Sequence, residues 1–557
     1  MHQCLSTLDV LSHIFEYVYT ENSGLKDTAA LAVTCQAFRE PALDILWRSL
    51  PSLRPLVRCL PTDAYGTERD SYGVMTVVRR MVASFAITQI SLCKVPTREL
   101  VDEDFHRFKS YVHRVRHIGR KYPEDDLSWM MTGRWYLEES FYDSLEQHGI
   151  IPLHQLRSYA GRGWIDFVTF HHIIGPRVVE VAFSGWYSSK PRFFRSRGGA
   201  LVVSLSPSLR VLRFYGEHGF DLSSLYLALL EGVPHLEVLY APTSDPLPDD
   251  VLGHILSSSV LKDLEVGNLP VDFARCMPSR TPLRLQHFGL KIVKMERCDE
   301  VLASLDMSRL QSIKVHYSDE VEFPLVWQVQ SWFEMVPAYC STSLLTKIEY
   351  DGPWNYLPVD AGEEYCITMQ TLEPLLQFRN LEELVITSPT GFHLDDESLS
   401  VFARSWPRMR RLDLNSRYIG WSDIGDYDIS LDGLVILAES WPNLEHLNLC
   451  LTARGDSVED SIQDVHSELE KFNLKGAVGC WKLKSLGVGW DSPVVYRPFV
   501  VAAFLHGIFP NLSTILGLES PDFAESLPGE WKDVEEVLRY LIGLRERTMR
   551  TCHSARP

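Results

Sequence analysis

One short pattern returns twelve times along this chain and restricts the folds open to it. An apolar residue, two variable ones, then apolar residues at alternate positions occur in RVVEVAF (177–183), SLRVLRF (208–214), HLEVLYA (235–241) and VLKDLEV (260–266). The series continues through RLQHFGL (284–290), RLQSIKV (309–315), LLTKIEY (344–350) and NLEELVI (380–386). It closes with RMRRLDL (408–414), NLEHLNL (443–449), KLKSLGV (482–488) and NLSTILG (511–517). Alternating apolar positions suit a strand with one buried face. Successive starts lie 24 to 39 residues apart, which leaves room for a strand, a helix and loops in each unit. The segments VFARSWPRMRRLDL (401–414) and ILAESWPNLEHLNL (436–449) are near-duplicates offset by 35 residues. In both, a helical run stops at Trp-Pro, because proline cannot continue a helix, and a strand follows.

This array resembles a leucine-rich-repeat solenoid over about residues 110–540. The resemblance implies an α/β fold of strand–helix repeats, horseshoe-like and here irregular. The Asn or Cys that usually follows the third apolar position is replaced at Glu217, Leu269, Pro389, Arg417 and Thr452, so the asparagine ladder is missing. An ordinary α/β domain with parallel strands shares the same alternation of elements and is the competing architecture.

Ahead of the array, residues 5–50 predict three short helices. Ser6 and Asp9 have capping-box spacing, and Leu8, Leu11, Ile14, Phe15 and Val18 form one apolar stripe. Residues 21–24 predict a loop, Asp27 the N-cap of a second helix through Leu31 and Val33, and Pro41 a bend in a third. About 45 residues bury too little apolar surface to stand alone, so this unit is expected to dock on a partner or on the next domain.

LDVLSHIFEYV (8–18) followed by LAVTCQAFREPALDILW (31–47) resembles an F-box. The matching positions are Asp9, Val10, Leu11, Ile14 and Phe15, then Cys35 and Phe38, then Leu46 and Trp47. Ser6 and Thr7 replace the usual opening Leu-Pro, Thr34 a valine, and Phe38 the commoner tryptophan. The resemblance implies that Leu8, Val10, Leu11, Ile14, Phe15, Cys35, Phe38, Leu46 and Trp47 contact a Skp-type adaptor, which links to a cullin scaffold. The expected organisation is an F-box-like module over 1–50, a linker and start of the array over 51–110, and the solenoid with a C-terminal capping helix over 111–550. Within the linker, 60–73 predicts a loop and 75–92 an early strand or two. Phe105, Phe108, Val112 and Val115 predict a helix, and DVEEVLRYLIGLRER (533–547) the capping helix.

Chemistry-bearing motifs are scarce. The sequence contains no P-loop, Gly-rich dinucleotide turn, H-E-x-x-H or G-x-S-x-G. Eleven cysteines lack any C-x-x-C pair and call for neither zinc nor a disulfide framework. His171-His172 point in different directions on any regular element, and Asp395, Asp396 and Glu397 read as the acidic start of a helix. The run 294–300 alternates in sign as a solvated face, while Trp186 and Trp490 fit core packing as well as partner anchoring. A formal charge of −19 opposes nucleic-acid binding. No secretory signal opens the chain, and 494–509 predicts a buried helix too short to cross a bilayer, so cytoplasm or nucleus is expected. Together these expectations describe a non-catalytic substrate receptor of a cullin-type ubiquitin ligase, without cofactor, metal, nucleic acid or membrane. The alternative is a leucine-rich-repeat scaffold with no ligase role.

Overall fold

The computed structural model describes residues 7–20, 24–69, 92–96, 98–119, 135–137, 139–151, 153–162, 172–184, 208–215, 233, 235–242, 252–253, 255–256 and 258–267. It also describes 284–292, 298, 302–303, 305–317, 324–353, 365–388, 391–416, 429–451, 479–488, 498–517 and 529–554. The chain divides into two units, Met1–Leu261 and Lys262–Pro557.

The first unit opens with helices α1 (Leu8–Thr20), α2 (Gly24–Thr34) and α3 (Gln36–Arg48). Asp27 lies inside the first turn of α2 and is not its N-cap. An acidic residue favours that turn anyway, so its signal marks the neighbourhood of a helix start and not the boundary itself. Helix α3 runs through a buried Pro41. Ser6, residues 21–23 and residues 75–91 lie outside the described residues.

Strands β1 (Ser49–Leu50), β2 (His117–Ile118), β3 (Ser158–Arg162), β4 (Glu180–Ser184), β5 (Val211–Tyr215) and β6 (Val238–Ala241) follow. Each pairs in parallel with the next in chain order. The sheet therefore begins directly after α3. A separate sheet joins Tyr65–Arg69 antiparallel to Leu92–Pro96, and that strand in parallel to Trp135–Leu137. The loop expected over 60–73 is thus a strand at its centre. Its hydrogen bonds come from a distant segment, which local polarity does not reveal.

The second unit repeats the rule through β7 (Asp263–Val266), β8 (His287–Ile292), β9 (Ser312–Tyr317), β10 (Lys347–Asp351) and β11 (Glu383–Ser388). It continues with β12 (Arg411–Ser416), β13 (His446–Leu449), β14 (Ser485–Val488) and β15 (Thr514–Gly517). Again each strand is parallel to its successor. All twelve recurring patterns contain a strand of one unit or the other. The architecture is an α/β repeat solenoid within each unit.

Register explains the alternation. Ile313, Ile348, Leu384 and Leu412 are consecutive partners across four strands and are all buried. Each such side chain contributes about 1.5–3 kcal/mol by leaving water. Just before many of these strands, one carbonyl accepts two N–H groups from the next repeat. Gln311 O takes Thr346 N at 2.8 Å and Lys347 N at 3.0 Å, and Glu382 O takes Arg410 N and Arg411 N at 2.8 and 3.0 Å.

The duplicated segments fold alike. Helices Asp396–Ser405 and Leu431–Ser440 end at Trp406 (φ −119°, ψ 66°) and Trp441 (φ −118°, ψ 73°). Both indoles are fully buried, and Trp406 Nε1 donates to Leu375 O at 3.2 Å. The apolar stretch near residue 500 is a helix, Pro498–Ile508, with Val501, Ala502, Leu505 and Ile508 buried. No helix among the described residues is long and apolar enough to cross a membrane.

Candidate functional site

Two surfaces stand out, one in each unit. The first is the three-helix hook. Its core is Leu11, Phe15, Ala32, Ala42 and Ile45, with Leu31, Phe38 and Leu46 partly buried against it. Phe15 meets Phe38 edge-on with ring centroids 5.3 Å apart. Leu11 and Phe15 are 3% and 2% exposed and hold the helices together. Leu8, Val10 and Ile14 are 61%, 38% and 40% exposed, and Cys35 is half-buried at the start of α3. The nine residues of the resemblance thus divide into those that build the hook and those that it presents.

Tyr17, absent from that set, is exposed and completes an i, i+4, i+7 stripe with Val10 and Ile14 along α1. Helical spacing alone would have found it. Leu25 and Val33 add exposed apolar surface on α2. An apolar arc wider than the core consumes is the mark of an interaction surface.

The hook is fixed to the start of the array. Trp47 stacks on Tyr111 at 4.3 Å with planes 11° apart. Arg114 donates to the carboxylates of Glu40 and Asp44, and Arg48, ending α3, donates to Glu16 of α1. These guanidinium groups hold the Glu16 and Glu40 carboxyls below their ordinary range. The predicted helix beside them comprises a 3-10 turn, Asp102–Phe105, and His106–Val112, with Phe105, Phe108 and Val115 buried.

The second surface is the outward strand face of the second unit, where charge replaces apolar contact. Lys347 Nζ lies 2.7 Å from Glu349 and 3.2 Å from Glu383. Burial works against its charge, but the two carboxylates outweigh burial and raise the ammonium above its ordinary value. Lys314 bridges Glu265 at 3.5 Å and Glu349 at 3.9 Å. Glu265 and Lys314 belong to β7 and β9, and Gly289 of β8 lies between them. A Cβ there would come within 2.6 Å of Glu265 Cγ, so glycine keeps that crossing open. Arg411 pairs with Asp413 at 2.8 Å, and Asn448 Nδ2 donates to Asp413 at 2.9 Å. Glu265, Lys314, Glu349 and Asp413 each sit between two apolar letters of their strand patterns, where the sequence displays them.

Groups considered for catalysis have structural occupations. Asp395 caps its helix, accepting Ser398 N at 2.8 Å, and the Ser398 hydroxyl and backbone N–H hold its carboxyl low. His172 stacks on Tyr142. Burial pushes the Cys340 thiol up to about 12, which leaves negligible thiolate at neutral pH. Among the described residues no cluster of His, Cys, Asp and Glu is arranged to hold a metal ion. His171, Trp186, Trp490, most of 294–300, and the ladder positions Glu217, Leu269, Pro389, Arg417 and Thr452 lie outside the described residues.

No protein-family model matches the sequence, and no curated protein matches it. Solved structures that align with this chain include two leucine-rich-repeat proteins and a yeast complex. The Rad7–Elc1 complex of yeast aligns at 13% identity and TM-score 0.36, over 70% of this chain and 86% of that chain. The leucine-rich-repeat protein LegL7 of Legionella pneumophila aligns at 13% and 0.25, over 67% and 92%. The circular leucine-rich-repeat protein CroV588 aligns at 10% and 0.23, over 73% and 46%.

Proposed function

We propose that this chain is a non-catalytic substrate receptor of a cullin-type ubiquitin ligase, acting in cytoplasm or nucleus. The hook docks on a Skp-type adaptor, and the strand face of the solenoid holds the target. The observation that carries this reading is the stripe Val10, Ile14 and Tyr17, exposed on a helix whose neighbouring positions Leu11 and Phe15 already complete the core. The F-box pattern of the same helices names the partner. The chemistry contributed is proximity, which raises the effective concentration of a target lysine beside a charged conjugating enzyme.

The test is copurification of the full chain with a Skp-type adaptor and cullin. Wild type is expected to bind, and Val10→Asp with Ile14→Asp to abolish binding while amide exchange in α1–α3 stays slow. Leu11→Asp is a poor probe, since a charge at a buried site unfolds the hook. Failure of the wild-type chain to bind any Skp-type adaptor overturns the ligase reading and leaves a leucine-rich-repeat scaffold, with its strand face as the working surface.

A further inference from the structure

In the first unit, three consecutive strands place arginines side by side. Arg48, Arg116 and Arg157 each immediately precede their strands, in the column whose carbonyls receive the next repeat. Arg116 N donates to Arg48 O at 2.8 Å, and Arg157 N to Arg116 O at 2.7 Å. Adjacent strands lie about 4.8 Å apart, so the three backbones span only about 10 Å.

At two other places the same column pairs opposite signs. Arg410 reaches Glu382 at 3.5 Å and Glu445 at 3.0 Å, and Arg210 reaches Glu237 at 3.1 Å. Like charges directly opposite one another on a sheet are destabilising, and here they sit in a chain of formal charge −19. Arg48 is bound by Glu16. Arg116 donates to His113 O at 2.8 Å, and Arg177, two residues before the corresponding place on the following strand, donates to the neutral Gln155 at 2.7 Å. Asp44, the carboxylate nearest in effect to Arg116, is occupied by Arg114. Among the described residues, no carboxylate pairs with Arg116, Arg157 or Arg177. Arg157 and Arg177 are exposed. Burial depresses the Arg116 guanidinium first, and Arg157, Arg177 and Arg48 push it the same way.

The geometry points to a binding site for an extended acidic polypeptide of a partner protein, whose carboxylates cross the strand ends at Arg116, Arg157 and Arg177. Carboxylates suit guanidinium forks, and a peptide strand brings one to the same side about every 6.6 Å. The patch is too short for a nucleic-acid footprint, which needs a basic face of greater length, and a net charge of −19 repels a long polyanion. The inference does not depend on the hook finding an adaptor.

The test uses the full chain and a fluorescein-labelled peptide of alternating glutamate and glycine, about ten residues long. A glutamine-for-glutamate peptide and a single-stranded oligonucleotide of equal charge serve as competing probes. The glutamate peptide is expected to bind with an affinity that falls as salt rises. Arg157→Gln with Arg177→Gln is expected to weaken it about tenfold or more, at an unchanged or higher melting temperature in low salt. No binding of the glutamate peptide, equal binding of the glutamine peptide, or an unaffected double variant overturns the site. Tighter binding of the oligonucleotide overturns the choice of a polypeptide. A lowered melting temperature in the double variant assigns the arginines to the fold and overturns the proposal.

Discussion

Asp396, in the first turn of one repeat helix, holds Ser430, the N-cap of the next, accepting its backbone N–H at 2.9 Å and its hydroxyl at 2.6 Å. The hydroxyl in turn accepts Asp432 N at 3.1 Å. One carboxylate therefore fixes where the following helix begins. Gly433 makes room for it, since a Cβ there would lie 2.2 Å from Asp396 Oδ1.

Replacing Asp396 with alanine is expected to lower the opening free energy of the helix Leu431–Ser440 by about 1–2 kcal/mol, read by native-state hydrogen exchange. Gly433→Ala alone is expected to be destabilising despite alanine's helix preference of about 1 kcal/mol. In the Asp396→Ala background that penalty should shrink by at least about 1 kcal/mol. Additive effects would show that the two positions do not interact.

Trp47→Ala removes the stack on Tyr111 that ties α3 to the array. A buried or half-buried tryptophan lost to alanine costs about 3–5 kcal/mol at full burial and less where partly exposed. Limited proteolysis should then cut α1–α3 first while the second unit stays resistant. Uniform loss of resistance across the chain would refute a local role.

At the C-terminal end, the helix Gly529–Ser554 lies against β15, and Glu535 Oε1 accepts Ile515 N at 3.3 Å. Arg539 holds that carboxylate at 2.7 Å. An uncovered strand edge is a template for pairing with another chain. Glu535→Ala is therefore expected to promote concentration-dependent self-association, seen in sedimentation velocity. A variant that remains as dispersed as wild type would show that the helix covers the edge without its carboxylate.

Asp104 carries the clearest pH signature. Arg98 hydrogen-bonds it at 2.7 and 2.8 Å, the Val101 N–H adds a third bond, and its pKa is lowered to about 2. A depressed carboxyl contributes stability that is complete above its unfolded value, near 3.8, and is lost as pH falls toward about 2. Asp104→Asn should therefore melt lower than wild type at pH 6, with the gap closing across that acid window. A gap that is constant with pH would dismiss the ion pair as its cause.

Much of the array was legible because period two is unambiguous where one face is buried. Ile313, Ile348 and Leu384 announce their strands through the polar letters between them. The strands at Ser49–Leu50, His117–Ile118 and Ser158–Arg162 escaped notice. Two have two residues each, and the third buries Tyr159 beside small residues, Ala160 and Gly161, that give no hydrophobic contrast. In the hook, helical periodicity put Leu8, Leu11, Ile14 and Phe15 on one stripe and the F-box pattern added Val10, but neither told which of them face inward. That depends on where α2 and α3 lie, and only packing supplies it. Asp396 was legible as a helix-start carboxylate. Its grip on Ser430 was not, because the partner is 34 residues away.

The doubled acceptance at pre-strand carbonyls such as those of Gln311 and Glu382 has an evolutionary corollary. Gln311 O serves the start of the next repeat at Thr346 and Lys347, and Glu382 O likewise serves Arg410 and Arg411, so this backbone seam runs from each of these turns to its immediate successor. Excising one whole turn, for instance the 35 residues between equivalent points of the Trp-Pro segments, would bring Glu382 O opposite Glu445 N and restore the seam. Gene-level duplication or loss can thus change the length of the array in quantised steps, leaving the helical module at one terminus and the Glu535 closure at the other untouched.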